Sequence, residues 1–198
     1  DSYNVAVGHE AGGAVTTGQY NNFFGGLAGD AITTGAANVA IGWAALSTDD
    51  VGSNSVAIGH AALSSQNFTT GTACYNTAVG SNAGNAVTTG IRNTIVGALA
   101  GDALTDADLN VVMGYNALSS DTLGSGAVAI GQGALNTQNF TTATTSYNVA
   151  VGYNAGGGTT TGVQNTVIGG LAGDSLTDAD FNTAVGMQAL TADTLGSR

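Results

Sequence analysis

The sequence predicts an all-β fold, a repetitive β-solenoid (β-roll) of eleven coils. Three observations carry that expectation: an octapeptide rewritten along the whole chain, the regular spacing of its copies, and the fixed chemistry of a few positions around its glycine. The octapeptide is clearest as Asn148 Val149 Ala150 Val151 Gly152 Tyr153 Asn154 Ala155. Its glycine recurs as Gly8, Gly25, Gly42, Gly59, Gly80, Gly97, Gly114, Gly131, Gly152, Gly169 and Gly186, at intervals of 17 residues broken twice by 21. Three units of 17 and one of 21 make a 72-residue period that carries Gly8 onto Gly80 and Gly80 onto Gly152. A fixed period of this length marks a stacked repeat architecture, so residues 1–198 read as a single array.

Positions are counted here from that glycine. At −4 stands asparagine in nine units, Asn4, Asn21, Asn38, Asn76, Asn93, Asn110, Asn148, Asn165 and Asn182, with Ser55 and Ala127 in the other two. At −1 the residue is always large and apolar, from Val7 and Phe24 to Ile168 and Val185. Apolar, often β-branched residues at alternate positions, bounded by Asn and Gly, read as a short strand. Glycine this dense opposes a helix. At +3 stands alanine without exception, Ala11, Ala83 and Ala155 among them, which predicts an interior row too narrow for anything larger. The glycine itself predicts a corner of positive φ or a close meeting of backbones. Asparagines stacked coil upon coil predict a ladder of side-chain amides of the kind found in cross-β stacks.

The coils fall into two classes. Six carry Gly at +4, and five of those carry an aliphatic at +7: Val15, Ile32, Val87, Leu104 and Leu176, with Thr159 as the sixth. The other five carry Leu at +4 (Leu46, Leu63, Leu118, Leu135, Leu190), a polar residue at +7, and Val51, Phe68, Leu123, Phe140 or Leu195 at +9. Apolar volume is kept while its position moves, as a close-packed interior demands. Thr-Thr-Gly closes several turns. The four extra residues of the long units lie in Gln66 to Thr70 and Gln138 to Thr142, placed as a bulge on one face. The two ends match interior stretches of the repeat, which predicts a piece of a longer fibre.

Composition narrows the function. Two Arg, no Lys and thirteen acids give a net charge of −11, so nucleic acid and anionic membrane, which require basic footprints, are not expected as partners. No run of eighteen apolar residues is present, and membrane insertion is not expected either. Cys74 has Ser146 as its counterpart one period later, so it reads as a packed or partly exposed thiol.

Ser55 Val56 Ala57 Ile58 Gly59 His60 Ala61 Ala62 and its variants resemble the head repeats of trimeric autotransporter adhesins, the YadA-like left-handed parallel β-roll, and equally the repeat shafts of bacteriophage tail fibres. The likeness runs through all eleven units but rests on a short motif. The chain departs from the adhesins in its unit length. The resemblance implies an elongated trimeric fibre, extracellular, on a virion or a bacterial surface, used for attachment to a glycan or protein receptor.

Repetition limits what the polar residues can do. Catalysis needs a unique constellation, whereas each polar residue here belongs to a row, so no enzyme and no cofactor is expected. Asp102, Asp106 and Asp108 recur as Asp174, Asp178 and Asp180, and read as solvated turn acids rather than calcium ligands. Threonine at +8 in eight units raises an ice-binding alternative, interrupted by Asp50, Asn67 and Asn139. Trp43, Tyr115 and Tyr153 at +1 are candidates for stacking on sugars. The expected assembly is a homotrimer packed side by side, with the lone-chain filament as its alternative.

Overall fold

A computed structural model describes residues 2–194 and 196, and it is a β-solenoid without helices. The strands in chain order are β1 Val5–Val7, β2 Asn22–Phe24, β3 Val39–Ile41, β4 Gly52–Ser53, β5 Val56–Ile58, β6 Thr72–Ala73, β7 Thr77–Val79 and β8 Thr94–Val96. They continue as β9 Val111–Met113, β10 Gly124–Ser125, β11 Val128–Ile130, β12 Thr144–Thr145, β13 Val149–Val151, β14 Thr166–Ile168 and β15 Thr183–Val185. Eleven of them form one parallel sheet in the order β1-β2-β3-β5-β7-β8-β9-β11-β13-β14-β15, one strand from each coil. The register steps by 17, as in Val5 beside Asn22, and by 21 at the long units, as in Val56 beside Thr77 and Val128 beside Val149. The pairs β4–β6 and β10–β12 resume coil-to-coil pairing just after each insertion.

Alternation along the strand decides what is inside. The middle residue, at −2, points into the core: Phe23, Ala40, Ala57, Ala78, Ile95, Val112, Ala129, Ala150 and Val167 are buried. The large apolar residue at −1 that marks each strand in the sequence therefore points out, and Phe24, Ile41, Met113 and Ile168 are exposed. The +3 alanines from Ala28 to Ala172 are buried, while Ala11 and Ala189 in the end coils pack against the core from a half-buried position.

The anchor glycines meet both conditions the sequence offered as alternatives. Their φ values lie between 126° and 140°, a region essentially closed to L side chains. A Cβ on Gly8 would stand 2.4 Å from the carbonyl oxygen of Gly25, and the same contact repeats up the column to Gly169. The glycines thus touch the next coil of their own chain. Three further positions in each coil, −5, +2 and +4, are left-handed, and most hold side chains: Tyr20, Arg92 and Phe181 at −5, Leu27 and Leu99 at +2, Leu46 and Leu118 at +4. These seven send their N–H groups to a neighbouring coil, Tyr20 to Ser2 O (3.0 Å), Leu27 to His9 O (2.9 Å) and Leu46 to Ala62 O (3.0 Å) among them. Those bonds hold a conformation that costs about 1–2 kcal/mol per residue.

The two coil classes solve one packing problem. Where +4 is Gly, a Cβ would strike the neighbouring core side chain, the Phe23 ring 2.5 Å from Gly29 or Leu104 Cδ1 2.9 Å from Gly101. Where +4 is Leu, as in Leu46, Leu63, Leu118 and Leu135, that leucine fills the core. Phe68 and Phe140 at +9 are buried; Val51 and Leu123 are half-buried; Leu190 in the last coil is exposed. Leu195 lies outside the described residues.

The glycine column separates backbone strain from steric contact. Gly114→Ala adds a Cβ 2.5 Å from Gly131 O, whereas Gly186→Ala meets nothing closer than Ala189 Cβ at 4.0 Å. Both incur strain of order 1–3 kcal/mol. Thermal unfolding of the 198-residue chain is expected to show a clearly larger loss of Tm for Gly114→Ala.

Candidate functional site

The asparagine row is buried, and its amides bond mainly to backbone rather than to one another. In every asparagine-bearing coil but the last, Oδ1 accepts the N–H of the −4 residue in the next coil, Asn21 to Asn4 (2.8 Å), Asn38 to Asn21 (3.0 Å) and Asn165 to Asn148 (2.9 Å). Each Nδ2 donates across its own coil to the carbonyl fourteen residues on, Asn4 to Gly18 O (2.8 Å), Asn76 to Gly90 O (2.7 Å) and Asn148 to Gly162 O (2.7 Å). A cross-β amide ladder has only side chains to bond; here the coil folds back and offers a carbonyl. Among the described residues, hydrogen bonds from one asparagine side chain to another are confined to Asn93 with Asn76 (3.4 Å) and Asn182 with Asn165 (3.1 Å).

Where the row is broken, a second buried device replaces it. Gln66 at +7 sits in the coil that carries Ser55, donates through Nε2 to Asp49 Oδ2 (2.6 Å) and Ser55 Oγ (3.0 Å), and accepts from Asn76 Nδ2 (2.9 Å). Gln138, in the coil that carries Ala127, donates to Asp121 Oδ2 (2.6 Å) and accepts from Asn148 (2.7 Å). The other carboxylate oxygen accepts two backbone N–H groups, from Gly52 (3.0 Å) and Phe68 (3.2 Å) at Asp49, and from Gly124 and Phe140 (both 3.0 Å) at Asp121. These hubs lie beneath the insertions. The sequence reading saw a polar +7 and assigned it no role; the signal was that Gln appears at +7 only in the two coils lacking the −4 asparagine. Burial pushes the Asp49 carboxyl above its ordinary value, against the opposing hydrogen bonds of Gln66, Phe68 and Gly52. Cys74 is packed, and burial pushes its thiol up to about 11.

The turn acids work on their neighbours. Asp108 Oδ1 accepts Ile91 N–H and Asp180 Oδ1 accepts Val163 N–H, each at 2.7 Å and one coil back, while Asp106 accepts the Thr89 hydroxyl (2.6 Å). Asp30, Asp102 and Asp174 each keep one buried carboxylate oxygen without a partner. Burial raises the first two above the ordinary carboxyl value. The +8 threonines bond the coil above: Thr16 to Thr33 O (3.1 Å), Thr105 to Thr122 O (3.0 Å), Thr177 to Thr194 O (2.9 Å). Among the described residues no pocket opens and no three metal-ligating side chains gather.

What remains available is the outer face of the large sheet. The −3 and −1 side chains of its strands project from it, flanked by the mostly exposed −5 and +1 positions. The −3 and −1 rows are Val, Ile, Thr, Phe, Met and one Asn. The rims carry the exposed rings, Trp43, Tyr115 and Tyr153 at +1 and Tyr3, Tyr20, Tyr75, Tyr147 and Phe181 at −5. Trp43 stacks on His60 at 5.1 Å and Tyr3 on Tyr20 at 5.6 Å. The −5 rim escaped the sequence reading, which placed aromatics only at +1. None of the thirteen acids falls in these four rows, and their basic members are Arg92, His9 and His60. A chain of net charge −11 thus presents one apolar, acid-free side.

Thr159 stands fully buried in the row of aliphatic +7 residues, with its hydroxyl unpartnered. Thr159→Val is expected to raise stability by about 1 kcal/mol in chemical denaturation, since it removes an unmet donor at constant shape. Asp30, Asp49 and Asp102 have carboxyls raised in the folded state, which therefore binds their protons more tightly than the unfolded chain does. Their contribution is present at low pH and lost as the pH rises through the raised values. Stability should increase as the pH falls from 7 toward the ordinary carboxyl range, and Asp49→Asn should shrink that increase.

No protein-family model, no curated protein and no solved structure matches the chain.

Proposed function

We propose that the chain is the repeat shaft of an extracellular fibre, associating with copies of itself through the acid-free sheet face and serving attachment to a host or other surface. The observation that carries this reading is the segregation of charge: among the described residues, every acid lies off the outward rows of the sheet. Eleven strands spaced about 4.8 Å apart give a face roughly 50 Å long, and four outward rows make it about 15–20 Å wide. Its area, on the order of 800 Å², is what one partner buries in a stable protein interface and exceeds the usual largest apolar patch of a monomer. Side-by-side packing of three copies about a common axis is the arrangement implied by the resemblance to autotransporter heads and phage tail fibres. The +3 alanines are inside the coil and the anchor glycines touch their own chain, so the surface offered to a neighbour is the Val, Ile and Thr of the sheet.

A carbohydrate receptor is favoured over ice among the binding alternatives. Trp43, Tyr115 and Tyr153 leave ring faces at the rim, whereas the +8 threonine hydroxyls are engaged within the solenoid. Binding of the purified chain on a glycan array, lost in Trp43→Ala with Tyr115→Ala while the mass by light scattering stays that of the unaltered chain, tests attachment separately from assembly.

Light scattering of the chain is expected to report about three times its 19.2 kDa mass. Ile130→Asp with Val151→Asp places two charges on adjacent strands of the face and should yield a folded chain of single mass. A folded monomer of the unaltered chain at micromolar concentration overturns the association.

A further inference from the structure

The insertions carry chemistry that neither the core nor the sheet face uses. Of the eighteen asparagines, two head an Asn-x-Thr tripeptide: Asn67-Phe68-Thr69 and Asn139-Phe140-Thr141, one in each insertion. Burial singles out the same residues independently. Only Asn54, Asn67 and Asn139 are exposed, and Asn54 has Val56, not a hydroxyl residue, two places on. The others are buried in the interior row or half-buried.

Local geometry presents both tripeptides outward. Phe68 and Phe140 are turned in, 7% and 6% exposed. Asn67 and Thr69, like Asn139 and Thr141, flank the buried ring and are exposed, so amide and hydroxyl are both open to solvent. The backbone is anchored at the first two residues. Asn67 N–H donates to Thr88 O and Asn139 N–H to Thr160 O, both 3.0 Å, and the phenylalanine N–H groups donate to the hub carboxylates Asp49 and Asp121. The Asn67 carboxamide has no hydrogen bond among the described residues, and that of Asn139 accepts one from Thr122 through Oδ1 (3.2 Å). Both Nδ2 groups are uncommitted.

We propose that Asn67 and Asn139 are acceptors for N-linked glycosylation. An exposed Asn-x-Thr is the chemical signal for this modification, the hydroxyl two residues on lying beside the amide that reacts. Nδ2 attacks the anomeric carbon of a sugar carried on a nucleotide or lipid diphosphate. The new C–N bond forms as the C–O bond to the diphosphate breaks. The diphosphate leaves with the electron pair, and the amide gives up one proton to the transferase. The sites are 72 residues and four coils apart, about 20 Å along the axis. Neither belongs to the four outward rows of the sheet, so sugar on them leaves that face open.

The deciding measurement is mass spectrometry of the full chain taken from the cells that make it, with peptides spanning 66–72 and 138–144 expected to carry sugar mass on Asn67 and Asn139. Both peptides unmodified, or sugar on asparagines outside the tripeptides instead, overturns the proposal. In a parallel incubation, a soluble Asn-x-Thr-directed glycosyltransferase with UDP-glucose should add two hexoses to the folded chain. Asn67→Gln and Thr69→Ala, both at exposed positions, should each remove one addition and spare the other. Modification of a short peptide spanning residues 66–70 without modification of the chain overturns it equally.

Discussion

The constraint on which everything else depends is that successive coils superpose at strand spacing around their whole circumference. A conventional sheet places that demand only on its strands. Here the corners must superpose too, so each coil repeats the same four positive-φ positions. The anchor glycine is the strictest of them, because a Cβ would meet the next glycine's backbone. Tyr20, Arg92 and the left-handed leucines from Leu27 to Leu171 are disfavoured locally by about 1–2 kcal/mol apiece. Leaving their N–H groups unbonded would cost about as much or more, about 1–3 kcal/mol each where buried. The neighbouring coil therefore selects the conformation, and no coil is stable without its neighbours. Cooperativity of this kind is what nearest-neighbour repeat folds show in general.

The same superposition forces a polar solution inside. A thin coil brings the start of its strand opposite the limb returning from the Thr-Thr-Gly turn, and both expose backbone groups to the interior. An Asn side chain satisfies one from each: Asn38 Oδ1 takes the Ser55 N–H (2.9 Å) and its Nδ2 reaches Gly52 O (2.9 Å). Four added residues change the path of the return limb and uncover further backbone donors. Asp49 and Asp121 meet them, and Gln66 and Gln138 relay each carboxylate to the next asparagine. The buried acids thus belong to the fold, which is why they sit apart from the exposed Asp50, Asp106 and Asp178.

How much of this was legible in the sequence follows from which signals are local. The strand and its step of 17 or 21 were legible, since −1 and +3 never vary in character. Left-handed corners at −5 and +2 were not, because Tyr20, Leu99 or Phe181 carries no local preference for that conformation and adopts it only under its neighbour's hydrogen bond. The direction of the −1 side chain was hidden for a related reason. Val7, Ile58 or Met113 reads equally well as core or as surface, and only the buried asparagine at −4 and residue at −2 fix the parity. The hubs were half legible: Gln66 and Gln138 stand out by position, but their reach to Asp49 and Asp121 needs the coils in place. The sheet face as a surface was hidden behind the +1 rings, which are only one of its rims.

Why the face should stay apolar over eleven coils is a matter of where charge can be put. Parallel in-register stacking sets identical residues about 4.8 Å apart, so a charged row would repel itself along its whole length. The chain avoids this by spacing its acids: Asp102 and Asp174 recur only once in four coils, and Asp108 and Asp180 turn theirs onto a backbone N–H of the coil below. On the sheet face the strands offer no such N–H, because the ladder has used them. Uncharged β-branched residues stack there without penalty, at the cost of leaving an apolar surface exposed. In the association proposed above, that surface meets the same surface of a second copy, whose dimensions match it coil for coil.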